Sequence, residues 1–144
     1  MSEDDLSAWR ANRREAAAEH AAAFERRKAG ETEQARRMLL DFVDAARARG
    51  LATVPLEARA RSGRATYRTG LSGWYLKRNR SLGVDTAGDF YVLSAPASLR
   101  ARLTGVTLAP SDPPLVVGAG GRDGESFPLD ELLAQRLQAG DDWS

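Results

Sequence analysis

The chain has 144 residues, a formal net charge of +1 and no cysteine. That length suits one domain with a true core plus an appendage, and is too short for two ordinary domains. Without thiols, the chain has no disulfide, no thiolate metal site, no thiol redox chemistry and no cysteine nucleophile. With 42% hydrophobic and 28% charged residues the balance is globular. The first twenty residues, MSEDDLSAWRANRREAAAEH, are charged throughout and lack the apolar stretch of a secretory signal. No apolar run approaches the roughly eighteen residues of a membrane span, so the expectation is a folded, cytoplasmic protein with no membrane partner.

Residues 1–50 read as helix. Ser2 and Asp5 make a plausible capping pair, with Glu3, Asp4 and Asp5 suited to a helix N-terminus. Leu6, Trp9, Ala16, Ala17, Ala21 and Phe24 then form a thin apolar stripe that Arg13 and His20 interrupt. After Gly30 the stripe sharpens to Ala35, Met38, Leu39, Phe42, Val43 and Ala46, with Gly50 in the C′ position. Gly30 either separates two helices, with Thr32 capping the second, or lies inside one rod. A rod over residues 5–49 would be roughly 65 Å long, leaving Trp9 and Phe24 beyond the reach of a small domain.

Residues 51–144 read as a small α+β domain. LATVPLEARAR gives a strand with Pro55 at an edge or bulge, and ATYRTGLSGWYLKR a second strand, in which Gly70 and Gly73 suggest a bulge or a close backbone approach. SLGVD and DFYVLSAP make a hairpin whose turn has Asp85 first and Gly88 last. ASLRARLTG fits a short helix or an edge strand. A Pro-rich loop leads into a strand at residues 115–117, and ESFPLDELLAQRLQAG closes the chain as a helix, with Ser126 near its cap and Leu129, Leu132, Leu133 and Leu137 on one face. The fold class is α+β: a long N-terminal helical segment, a small mostly antiparallel sheet and a C-terminal helix.

The run YRTGLSGWYLKRNRSLGVDTAGDFYVL beginning at Tyr67, with the later SDPPLVVGAGGRDGES, resembles a family of small, uncharacterised actinobacterial proteins. The similarity spans most of residues 25–140. It implies no activity, cofactor or site residue for any position.

Charge is unevenly placed. Residues 51–102 carry nine basic and three acidic groups and residues 103–144 two and seven, so the middle either meets an anionic partner or pairs with the end of the chain. Because 19 of the 21 basic residues are arginine and isoleucine is absent, part of the arginine content reflects a GC-rich coding sequence. Trp74 and Tyr75 beside Lys77, Arg78 and Arg80 raise the question of a base-stacking, phosphate-gripping surface. On a strand over Gly73–Arg78, Trp74, Leu76 and Arg78 share one face and Tyr75 and Lys77 the other. Trp74 and Leu76 then read as core, while Tyr75, Lys77, Arg78 and Arg80 with Arg64 and Arg68 make an RNA- or DNA-binding platform.

No catalytic constellation is recognisable. GAGGRDG at residues 118–124 has Asp123 where a dinucleotide fingerprint needs a small residue. His20 is the sole histidine, which argues against zinc and against a Ser-His-Asp triad. Asp85 and Asp89 are explained by their turn, and Pro110 to Pro113 reads as a rigid loop. The sequence implies no cofactor and no metal. The leading expectation is a non-enzymatic interaction module that contacts a protein partner, or itself, through Leu6, Trp9 and Phe24. RNA or DNA binding through the basic-aromatic residues is the alternative.

Overall fold

A computed structural model describes residues 2–118 and 126–143. Helix α1 (Glu3–Ala48) is continuous through Gly30, so the segment is the rod. Its start is a capping box: the Asp5 N–H donates to the Ser2 hydroxyl at 3.2 Å and the Ser2 N–H to the Asp5 carboxylate at 3.4 Å. Its end is a Schellman motif. Gly50, at φ +71°, donates to the Arg47 carbonyl and Leu51 to that of Ala46, while Leu51 packs in the same core as Ala46. At 1.5 Å per residue the 46-residue helix extends about 69 Å. A body of about 100 residues has a radius of gyration near 13 Å, so α1 must leave it.

Five strands follow the helix: β1 (Val54–Ala60), β2 (Thr66–Tyr75), β3 (Leu82–Asp85), β4 (Phe90–Val92) and β5 (Ser94–Ala95). They form one sheet in the order β4-β3-β2-β1-β5, antiparallel except where β1 meets β5. Both glycines flagged in β2 act as expected. Between Leu56↔Leu71 and Glu57↔Arg68 the register slips, leaving Thr69 and Gly70 as extra residues, and Gly70 takes φ +74°. Gly73 lies against the backbone of Val84 and Asp85. In the β3–β4 turn the Asp85 carboxylate accepts from the N–H groups of Ala87 (3.0 Å) and Asp89 (2.9 Å).

The stretch after β5 resolves as a short helix, α2 (Leu99–Thr104), capped by Ser98. Strand β6 (Val116–Val117) pairs with β7 (Phe127–Pro128), and α3 (Leu129–Ala139) closes the fold. Ser126 is not its cap. Pro128 occupies that position and makes no side-chain capping bond, because Phe127 and Pro128 are held in β pairing up to the first helical residue. Most of the GAGGRDG loop lies outside the described residues.

The sheet is covered on both faces from the end of β2 through β4, whereas β1 and the first half of β2 bury one face and expose the other. Trp74, Leu76, Val84 and Phe90 meet the second half of α1 (Ala35, Leu39, Phe42, Val43, Ala46) and Leu129, Leu132 and Leu133 of α3. Phe42 and Trp74 pack edge-to-face, with centroids 6.0 Å apart. On the other face Leu56, Tyr75, Tyr91 and Leu93 form one cluster, and Ala58, Ala60, Tyr67, Ala95 and Ala101 a second. Every core residue that α1 contributes lies at or beyond Ala35.

Candidate functional site

From Ser2 to Glu31 every residue of the rod is exposed except Leu6 and Ala23, which are half-buried. Trp9 is 52% and Phe24 57% exposed. Taking 100° per residue, Leu6, Trp9, Ala17 and Phe24 continue the side of the helix that carries Ala35, Phe42 and Ala46 into the core. The three residues singled out in sequence therefore share one stripe, and no part of the body covers it. Arg13 lies one turn beyond Trp9 with its guanidinium 4.8 Å from the indole centroid, which orders the ring without hiding it.

The basic-aromatic platform does not assemble. The Tyr75 ring is 8% exposed within the Leu56, Tyr91 and Leu93 cluster, and its hydroxyl accepts from the Glu57 N–H at 2.9 Å. The face opposite Trp74 is thus a second core at Tyr75 and not a solvated surface. Strand β2 ends at Tyr75. Lys77, Arg78 and Arg80 ride the following turn, where the Arg80 N–H donates to the Lys77 carbonyl and Arg80 takes φ +59°. Arg64 sits in the β1–β2 connection at the opposite end of β2, and the ten-residue strand separates the two groups by about 30 Å. Arg68 lies between them and donates to the Leu103 carbonyl of α2 at 3.1 Å.

Two of these cations already face aromatic rings: Arg80 lies 5.3 Å from the Tyr75 centroid and Arg78 5.2 Å from that of Trp143. Among the described residues no ion pair joins the basic middle to the acidic end of the chain. Among the described residues the one ion pair joins Arg36 to Asp112 at 2.7 Å, both ends exposed, an arrangement worth about 1 kcal/mol or less. It joins the Pro-rich loop to α1, and the Ser111 N–H donates to the Phe90 carbonyl, so the loop contacts both the helix and β4.

Arg136 is the residue that the sequence reading passed over. It is 5% exposed, donates from Nε to the Tyr75 carbonyl at 2.8 Å and from Nη1 to the Gly140 carbonyl at 2.6 Å, and lies 4.9 Å from the Trp143 centroid. Burial pulls its guanidinium below the ordinary value, against the opposing charge of Asp141, yet an arginine starts high enough to stay charged. A signal was present, because Arg136 falls on the stripe of Leu129, Leu132 and Leu133. Two exposed leucines were also missed: Leu99 and Leu103 of α2, one turn apart, are 78% and 79% exposed.

Tyr91 gives a pH test of the second core. Its phenol donates to the Asp85 carboxylate at 3.2 Å. Burial, then the Asp85 charge and that hydrogen bond, then Asp89, raise its pKa above the usual value near 10. The folded state holds this proton more tightly than the unfolded chain does. The contribution is complete below about pH 10 and is lost as pH rises through the folded value. Melting temperatures taken from pH 8 upward should therefore show wild type losing stability relative to Tyr91→Phe only above about pH 10. Parallel curves would sink this account.

Among the described residues no helix is long and apolar enough to cross a membrane, and no group of three or more His, Asp or Glu is placed to hold a metal ion. No family model, curated protein or solved structure matches the chain, so the reading of function rests on the residues themselves.

Proposed function

We propose that the protein is a non-enzymatic interaction module and that the projecting half of α1 is its contact surface. The observation that carries the reading is the exposure of Trp9 and Phe24 on a stripe that the body does not reach. A helix gains most of its stability from tertiary packing of one face. Among the described residues none of the first thirty is buried against the body, although the core stripe continues along them. Amphipathic helices of this kind recognise partners through a few large apolar anchors at helical spacing.

The test is removal of residues 1–30. The truncated chain should keep a cooperative melt and its near-ultraviolet circular dichroism, because the core contributed by α1 begins at Ala35. In size fractionation of a cell extract it should leave the assembly in which the full chain elutes. Unfolding of the truncated chain would mean that the segment belongs to the core, and unchanged elution would place the contact surface elsewhere. A basic-aromatic nucleic-acid surface gains no support from a buried Tyr75 and cations split between the two ends of β2.

A further inference from the structure

Building on the reading of the rod as a contact surface, we infer that its partner is a second copy of this chain, the two helices lying antiparallel about a two-fold axis between Ala16 and Ala17. Trp9 and Phe24, the large exposed anchors of the rod, are equally far in sequence from that point. Turning a second helix about it sets each Trp9 opposite the other copy's Phe24, so one two-fold operation covers all four rings. On the contact face the middle carries Ala16, Ala17 and Ala21, whose small side chains let the two backbones approach closely there.

Charge selects the orientation. Taking 100° per residue, Asp5 and Arg27 lie along one side of the apolar stripe and Glu3 and Lys28 along the other. In an antiparallel pair each side of the stripe meets the same side of the second copy. Asp5 then comes level with Arg27 and Glu3 with Lys28, to within about two residues, or 3 Å. A parallel pair would instead set Glu3, Asp4 and Asp5 against themselves and Arg26, Arg27 and Lys28 against themselves, and like charges across a helical contact disfavour that arrangement. The second copy's acidic first turn arrives beside a largely apolar groove of about 420 Å³ lined by Lys28, Glu31, Thr32 and the stretch from Asp112 to Val116, where Lys28 is the one cation that meets it and Glu31 and Asp112 oppose it.

The contact is weak. Arg13 stands opposite His20, a polar layer inside the stripe that fixes register while reducing affinity. A strip about 40 Å long and one helix wide is near the lower limit for a specific interface. The expected dissociation constant is on the order of tens of micromolar.

The experiment uses the purified full chain, followed by sedimentation from about 1 to 300 µM, a range bracketing that value. The expected result is a monomer–dimer equilibrium. The double variant Trp9→Ala/Phe24→Ala, changed only at exposed positions, should raise the dissociation constant at least about tenfold. Because the chain has no cysteine, single cysteines report the geometry. Ala17→Cys should cross-link to itself through a short bismaleimide. Leu6→Cys should not, but should cross-link when mixed with Arg27→Cys. Self-cross-linking of Leu6→Cys would overturn the antiparallel arrangement, and so would a dimer of unchanged strength in the double variant. A chain that stays monomeric throughout overturns the inference. Should the truncated chain nevertheless still leave its assembly in extract, the contact-surface reading survives and the partner is a different protein.

Discussion

Gly73→Ala is expected to lower stability by about 3 kcal/mol or more, at the top of the usual range for overpacking. A methyl group on Gly73 would fall inside the contact radius of the Val84 carbonyl oxygen, 2.7 Å from the Asp85 Cα and 2.9 Å from the Val84 carbonyl carbon. Every one of these is a backbone atom, so no rotamer change relieves the clash. Gly73 also sits in β2, the central strand of the order β4-β3-β2-β1-β5, pairing with Val54 on one side and Asp85 on the other. Relief requires β3 to separate from β2 next to Trp74, the largest fully buried side chain. The contrast is Gly30→Ala, where an added methyl meets nothing within 4 Å; that change should be neutral or stabilising by up to about 1 kcal/mol through helix propensity. Urea midpoints of the two variants at constant slope decide the matter. A Gly73→Ala midpoint within about 0.5 kcal/mol of wild type would remove close backbone approach as the reason for this glycine.

Gly73 also marks how far the sequence could be read. A glycine inside an alternating strand signals a bulge or a close approach, and Gly70 and Gly73 turned out to be one of each. The Asp85–Gly88 turn, the leucine face of α3 and the helical character of residues 1–50, though not its continuity through Gly30, were legible for the same reason: each is fixed by local chemistry within a few residues. Tyr75 was not. Strand alternation correctly separated it from Trp74, but period two says only that two faces exist. Whether the second face meets water depends on Leu56, Tyr91 and Leu93, which reach it from β1, β4 and the link between β4 and β5. The division of the cations by the length of β2 escaped for a related reason, since Arg64 and Arg80 are near in sequence only as a string and far apart once the strand is extended. The exposure of Trp9 and Phe24 was legible for the rod alternative, because there it follows from helix length without any long-range contact.

Arg136→Ala is expected to cost about 3 kcal/mol and to free the end of the chain. Arg136 is a buried cation held by two carbonyls and a ring, and its removal leaves the Tyr75 and Gly140 carbonyls without their donor, each a loss of about 1–3 kcal/mol when water cannot replace it. The effect should reach Trp143, which lies under both Arg136 and Arg78. The residues between are tied down separately, since Asp141 accepts from the Ala52 N–H at 2.8 Å, so the release should begin at the indole and not unfold α3. Arg136→Met fills much of the same volume without a charge to desolvate and should recover part of the loss, while still leaving both carbonyls bare. Urea midpoints for the two variants, with the Trp143 emission taken in a Trp9→Phe background as the difference from the same protein carrying Trp143→Phe, Trp74 being common to both, provide the measurement. The expected order of stability is wild type, then methionine, then alanine, with the emission shifted to the red in both variants. An alanine variant as stable as wild type, or one whose Trp143 emission stays unshifted, would reduce Arg136 to a surface cation and leave the joint between the β2 end and the C-terminal turn to be explained by Asp141 alone.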